Sequence, residues 1–139
     1  MKFTLDWLKD HLDTSENLNT ITDTLTNIGL EIESVVDKSE IFKNFTVAKV
    51  LKAEKHPDAD KLKVCQVETI NGNYQVVCGA PNAREGMLGI FAPENSYIPG
   101  TDLHLKKTKI RGVESCGMLV SEREMGISDE HDGSAHVII

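Results

Sequence analysis

From Phe45 onward the chain reads as short apolar alternations cut by strong turn signals. Such a texture excludes long helices and requires paired strands. Residues 45–53 are one long strand candidate and residues 62–70 another. Asn71-Gly72-Asn73 between them and the next alternation is a strong hairpin signal. Residues 74–78 read as the return strand, 79–86 as a loop around Pro81, and 87–92 as a fourth strand stopped by Pro93. Ile98-Pro99-Gly100 is a turn, and 103–110 begins as another alternation. Residues 118–120 finish a fifth strand, ahead of a short helix over 121–125 that Gly126 ends. In the first strand Val47, Val50 and Leu51 cannot all face one way, which predicts a bulge or a different register.

The first 38 residues have another texture. Phe3, Trp7 and Leu8 share one face of a short amphipathic helix over residues 1–11. Leu18, Ile21, Leu25 and Ile28 form a helical stripe, with Ser15 as its cap and Gly29 as its stop. Residues 30–36 alternate as a strand with acidic residues on one side, and the polar stretch 37–44 is the boundary. The expected fold class is α+β: a five-stranded OB-fold β-barrel over residues 39–139, preceded by a small, incomplete α+β piece over residues 1–38. The last three residues, 137–139, are apolar. They read as the start of a buried strand, and so as a chain cut before its next elements; a final strand docking at the terminus is the other reading.

At 139 residues the chain is long enough for one real core. No apolar run approaches the roughly 20 residues that span a membrane. Cys65, Cys78 and Cys116 are an odd number without close spacing, which argues against a disulfide framework and a four-cysteine zinc site. A reducing cytoplasm is the expected compartment. The net charge of −7 is unevenly spread: residues 1–42 carry 3 basic and 9 acidic side chains, residues 43–111 carry 11 and 7, and residues 112–139 carry 1 and 6. A basic middle lies between acidic ends.

No catalytic constellation stands out. There is no phosphate-binding Gly-rich loop, no nucleophile elbow and no His-Glu-x-x-His helix. His131 and His136 lie near Asp129, Glu130 and Asp132, but their spacing fits no standard zinc pattern and reads as a solvated acidic loop. His56, before Pro57 in a turn, reads as a structural hydrogen-bonder, and His11 and His104 as surface residues. Cys78 lacks an activating neighbour and reads as buried and inert; Cys65 reads as a strand residue and Cys116 as more exposed.

The basic side chains fall into two runs. Lys49, Lys52, Lys55, Lys61 and Lys63 flank the turn at Pro57, and Lys106, Lys107, Lys109 and Arg111 follow in a later strand. In a small barrel the two can meet, and clustered cations that track a backbone are the electrostatic basis of nucleic-acid binding. Each run alone is an ordinary solubilising face. Of seven aromatic residues, Phe3 and Trp7 belong to the first helix, and Phe42, Phe45, Tyr74 and Phe91 read as core. Tyr97 alone reads as a free ring, so backbone and shape recognition is expected more than base stacking.

Three motifs carry a resemblance. His56-Pro57-Asp58-Ala59-Asp60-Lys61-Leu62, Val77-Cys78-Gly79-Ala80-Pro81-Asn82 and Ile110-Arg111-Gly112-Val113-Glu114-Ser115-Cys116-Gly117-Met118-Leu119 resemble, in order and spacing, the signature of EMAP-type tRNA-binding domains. Ala83 departs from the pattern, since many members carry a cysteine there. Met1-Lys2-Phe3-Thr4-Leu5-Asp6-Trp7-Leu8, Ile28-Gly29-Leu30-Glu31-Ile32-Glu33 and Ser121-Glu122-Arg123-Glu124-Met125-Gly126-Ile127-Ser128-Asp129-Glu130-His131 resemble the N-terminal part of bacterial phenylalanyl-tRNA synthetase beta subunits.

That resemblance implies an OB barrel and a place in an alpha-two, beta-two synthetase that joins phenylalanine to its tRNA with ATP and magnesium. It implies tRNA and the alpha subunit as partners, and no membrane. It also implies that neither a catalytic residue nor a bound cofactor lies in this stretch, and that the N-terminal piece is completed by chain following the barrel. The RNA-binding residues it suggests are Lys49, Lys52, Lys61, Lys63, Lys106, Lys107, Lys109 and Arg111, with Ser115, Met118 and Ser121 shaping the adjacent loop. The competing reading makes the barrel a packing module of the synthetase, which the overall negative charge and the shortage of exposed rings favour. A free-standing tRNA-binding protein, or the related domain of another synthetase, is the alternative identity.

Overall fold

The computed structural model describes residues 1–130 and 132–136; His131 and the apolar run 137–139 lie outside them. The chain divides into two compact units, Met1–Asp37 and Lys38–Ile139.

In the first unit, α1 (Leu5–His11) starts where the Thr4 hydroxyl accepts the Trp7 N–H at 3.1 Å. Helix α2 spans Leu18–Asn27, and its cap is Asn17 rather than Ser15. The Asn17 side-chain oxygen accepts the Thr20 N–H at 3.0 Å; Ser15 lies two residues too early to reach that donor. Gly29 stops the helix as expected. At φ +98° its N–H reaches Thr26 O, while the Leu30 N–H reaches Leu25 O, the paired bonds of a Schellman end. Ile21 is the buried residue of the stripe, and Ile28 is exposed. The strand expected over 30–36 is not formed. Its alternation is real, but a strand needs a neighbour to take its N–H and C=O groups, and no described segment pairs with it.

The second unit begins with a short helix, α3 (Lys38–Phe42), inside the stretch expected to be a polar boundary. Among the described residues nine strands follow: β1 (Thr46–His56), β2 (Ala59–Thr69), β3 (Gly72–Cys78), β4 (Leu88–Pro93), β5 (Tyr97–Ile98), β6 (Leu103–His104), β7 (Thr108–Ile110), β8 (Val113–Ser115) and β9 (Gly117–Leu119). Five of them form an antiparallel sheet in the order β3-β2-β1-β4-β9. The pairs β5–β6 and β7–β8 stand as separate hairpins.

The expected bulge in β1 falls at Leu51. Val50 pairs with Val67 and Lys52 with Gln66, so Leu51 has no opposite number. The β2–β3 turn sits a residue earlier than the Asn-Gly signal. Ile70 and Asn71 form the loop at negative φ, and Gly72 alone takes the left-handed conformation, at φ +127°. The strand expected over 103–110 divides in two, because Leu105 turns its backbone toward the preceding loop: its N–H reaches Ser96 O and its C=O receives Asn95 N–H, both at 2.8 Å. The helix expected over 121–125 is a single turn, closed by Met125 N–H to Ser121 O at 3.0 Å.

The sheet is not closed by a ladder. Its β3 edge meets the β8–β9 segment through isolated bonds, Cys116 N–H to Gln75 O at 2.9 Å and Val77 N–H to Ser115 Oγ at 3.1 Å. One face of the sheet buries Ala48, Val50, Cys65, Val67, Val76, Cys78, Phe91 and Leu119. Tyr74 stacks on Phe91 with ring centres 5.1 Å apart. Gly117 lets β9 approach closely, since a Cβ there would lie 2.5 Å from Ala92 O and from the Phe91 ring. A second cluster, Ala92, Ile98, Val120 and Met125, packs with Phe42, Phe45, Ile90, Leu105 and Met118.

Candidate nucleic-acid interface

The turn joining β1 to β2 is held from within. His56 is 2% exposed. Its Nδ1 accepts the Asp58 N–H at 3.0 Å, which leaves the ring proton on Nε2, and Nε2 donates to Ile110 O at 2.9 Å. The structural role expected for His56 is the one found. The bond crosses to β7, whose hairpin with β8 turns through Arg111 and Gly112 at φ +48° and +83°. Arg111 then reaches back, and its Nη1–H donates to Asp58 O at 3.0 Å. Two motifs more than fifty residues apart are thus joined at both ends of one turn.

The third motif joins them through Lys63. Lys63 shares the strand parity of the buried Cys65 and Val67 on β2. Its ammonium donates to Pro81 O at 3.2 Å and to Ala83 O at 2.6 Å, tying the loop after β3 to the sheet. Asn82 binds the backbone of Ala135 twice: its Nδ2–H donates to Ala135 O at 2.9 Å, and its Oδ1 accepts the Ala135 N–H at 3.0 Å. The Ser121 hydroxyl accepts the Glu124 N–H at 3.3 Å, while Glu124 Oε2 accepts the Ser121 N–H at 2.7 Å, a capping box that fixes the 121–125 turn.

Between these segments lies a groove of about 540 Å³. Leu62, Val77, Ile110 and Met118 form apolar walls, with Lys106, Ser121 and Glu124 also lining it. All three motifs contribute to this lining.

The predicted cations have different fates. Lys49 and Lys52 are exposed on β1, Lys49 opposite Glu68 and Lys52 opposite Gln66. From Gln66 a polar chain crosses the sheet: Gln66 Nε2–H donates to Gln75 Oε1, and Gln75 Nε2–H to Glu114 O, each at 2.9 Å. Lys61 and Lys106 are exposed with no ion pair among the described residues, whereas Lys55 is paired with Asp60 at 2.8 Å. Lys107 forms an ion pair with Glu114, and Lys109 lies opposite the same carboxylate in the β7–β8 register. The hydrogen bond from Lys107 holds the Glu114 carboxyl below the usual carboxylate range, and Lys107 is raised in turn. Lys63 is spent on carbonyls. Among the cations of the two runs, Lys49, Lys52, Lys61, Lys106 and most of the Arg111 fork are therefore open to an anion.

The three residues expected to shape the adjacent loop are also accounted for. Ser115 is buried, accepting the Val77 N–H and donating to Gly117 O at 3.0 Å. Met118 packs in the second cluster and lines the groove. Ser121 is the capping residue. Tyr97, expected as a free ring, is exposed but donates its hydroxyl to Asp102 at 2.7 Å and lies against His104. The residues not foreseen are Gln75, Asn82 and Glu114. Asn82 and Glu114 lie inside the quoted motifs, which gave them no individual role; Gln75 had no signal.

Cys65 and Cys78 are buried, and burial pushes the Cys65 thiol up to about 11 and Cys78 upward as well. Among the described residues no three His, Cys, Asp or Glu side chains converge to hold a metal, and no helix is long and apolar enough to cross a membrane.

Residues 45–138 match the family model described as "Putative tRNA binding domain". The phenylalanine–tRNA ligase beta subunit of Nitrobacter winogradskyi is 55% identical over 140 residues, covering 96% of this chain and 17% of that protein. That of Mesorhizobium japonicum is 58% identical over 135 residues, with the same two coverages. The chain thus spans about a sixth of the length of these curated relatives. Among solved structures, a MetRS-related protein from Pyrococcus horikoshii superposes with a TM-score of 0.50 at 30% identity, over 76% of this chain and 87% of that one.

Proposed function

This chain belongs to the tRNA-binding domain family, and we propose that it is the tRNA-binding region of a phenylalanine–tRNA ligase beta subunit, gripping the phosphate backbone of tRNA. The observation that carries this reading is the convergence of the three motif segments on one groove, lined also by the unpaired Lys106, in a chain 55% to 58% identical to such subunits. Residues 39–139 are the binding domain and residues 1–38 a separate piece. The sheet is the open form of an OB barrel, its β3 and β9 edges bridged through Gln75 and Ser115.

Binding rests on Lys49, Lys52, Lys61, Lys106 and Arg111, which face solvent. Lys109 contributes less beside Glu114. Lys63 and Lys107 serve the fold, as do Ser115, Met118 and Ser121. The groove's apolar walls seat a sugar or base edge while the cations hold phosphate. Within the complete enzyme this region would support ATP- and magnesium-dependent attachment of phenylalanine, in an alpha-two, beta-two assembly in the cytoplasm. No residue on this chain is assigned to ATP or the metal, and the reacting groups would lie on other parts of the assembly.

Fluorescence anisotropy of labelled tRNA titrated with the chain tests this. The expected result is saturable binding that weakens steeply between roughly 50 and 200 mM salt, as released counterions require. Lys106→Glu should weaken it further. Absence of binding at the lowest salt would defeat this reading in favour of a packing module.

A further inference from the structure

Arg111 occupies a position that local chemistry assigns to another residue. A two-residue hairpin turn with both φ values positive takes Asn-Gly, Asp-Gly or Gly-Gly, because those residues enter the left-handed region at little cost. Here the first position is arginine at φ +48°. A strained residue persists only where its surroundings over-determine it, and two contacts do so. The His56 Nε2–H bond to Ile110 O anchors the residue before the turn, and the Arg111 Nη1–H bond to Asp58 O anchors the side chain. Asp58 O is a neutral acceptor, so the guanidinium keeps its full charge. It has five N–H donors and commits one here. The Asp58 carboxylate stands in the same turn but forms no ion pair with Arg111 among the described residues, and Asp60 is already paired with Lys55.

We propose that Arg111 is the phosphate anchor of this domain and that His56 is its positioning residue. Given that the chain binds tRNA at all, on which this inference rests, the free edge of the guanidinium takes a phosphodiester of the RNA backbone in a forked, charge-assisted pair. The clasp to Asp58 and Ile110 gives that fork a fixed direction, which a flexible lysine does not have. His56 acts through Ile110 and touches no RNA.

The test uses the 139-residue chain, labelled tRNA and a salt series. Arg111→Asn suits the left-handed turn and should leave the melting temperature unchanged or slightly raised. It should nevertheless weaken tRNA binding about tenfold and reduce the slope of log affinity against log salt by about one. Two substitutions separate the His56 bonds. His56→Asn keeps an acceptor for the Asp58 N–H but loses the donor to Ile110. His56→Gln places its amide N–H where Nε2 stood. The asparagine variant should show the reduced slope of Arg111→Asn, and the glutamine variant should restore the wild-type slope. If either His56 variant fails to fold, Arg111→Asn, at an exposed turn, decides alone. Unchanged affinity and slope in Arg111→Asn, with Lys61→Glu and Lys106→Glu still impaired, would overturn the anchor and leave the tRNA reading standing. A wild-type chain that does not bind tRNA overturns both.

Discussion

Lys61 and Lys63 lie two residues apart on one strand and share a charge, yet they should fail in opposite ways when replaced. The Lys63 ammonium donates to Pro81 O at 3.2 Å and Ala83 O at 2.6 Å. Ala83 is 1% exposed, so water cannot fully replace the lost donor at its carbonyl. A hydrogen bond to a charged group contributes about 1.5–3 kcal/mol when shielded. The bond to exposed Pro81 merits less than that range and the Ala83 bond its lower part, which together give about 2 kcal/mol for Lys63→Met. The methionine keeps the aliphatic stem, so packing changes little. In a unit of about 100 residues, at ~4 °C per kcal/mol, the melting temperature should fall by about 8 °C. The salt slope of tRNA binding should not move, because this charge faces carbonyls. Lys61→Glu should do the reverse, with a melting temperature within ~2 °C of wild type and a clearly shallower slope. Thermal unfolding by circular dichroism, with anisotropy on the same samples, reads both. A Lys63→Met chain that melts normally but loses tRNA affinity would refute the assignment of Lys63 to the fold.

Glu114→Gln releases Lys107 and Lys109 from a shared carboxylate, so tRNA binding should tighten and its salt slope steepen in the same anisotropy assay. Glu114 titrates below its usual value, so its pair with Lys107 favours the fold above the ordinary carboxylate range and is lost as pH falls through the lowered value. The acid-side loss of stability in urea titrations should accordingly be smaller in Glu114→Gln. Gly117→Ala would drive a Cβ to 2.5 Å from Ala92 O and the Phe91 ring, and should destabilise by about 2–3 kcal/mol, checked by urea unfolding. A thiol reagent should label Cys116 in the folded chain and reach Cys65 and Cys78 only after unfolding. Because the Cys65 thiol is raised from 9.0 to about 11, its contribution is complete below pH 9 and disappears as pH rises toward 11; Cys65→Val should flatten that decline.

Elements fixed by local pattern were legible. The long strands β1 and β2, the Leu51 bulge and the Gly29 stop each follow from alternation or backbone rules that act over a few residues. What escaped depended on partners. Residues 30–36 alternate as a strand would, but alternation states only which face could be buried and not whether a neighbour exists to accept the hydrogen bonds. The split of 103–110 into β6 and β7 likewise follows from Leu105 bonding to Asn95 and Ser96, a contact with no trace in the segment's own pattern.

The candidate interface shows the same division more sharply. Lysine runs announce positive charge but not where it goes. Parity on β2 turns Lys63 inward, and hairpin register sets Glu114 against Lys109, so the open charge is smaller than the sequence suggests. The second fact follows from hairpin register; the first needs the loop after β3 as well, since Lys61 has the same parity and only Lys63 meets the Pro81 and Ala83 carbonyls. Arg111-Gly112 is the reverse case. There a local rule is broken in a turn that only the structure places, since the residue joining two short strands is arginine where asparagine or aspartate would be unstrained. Sequences that specify a fold agree across levels, and their local exceptions gather where function demands them. A broken turn rule at a clasp between two distant motifs is therefore a sharper pointer to the phosphate contact than any count of lysines.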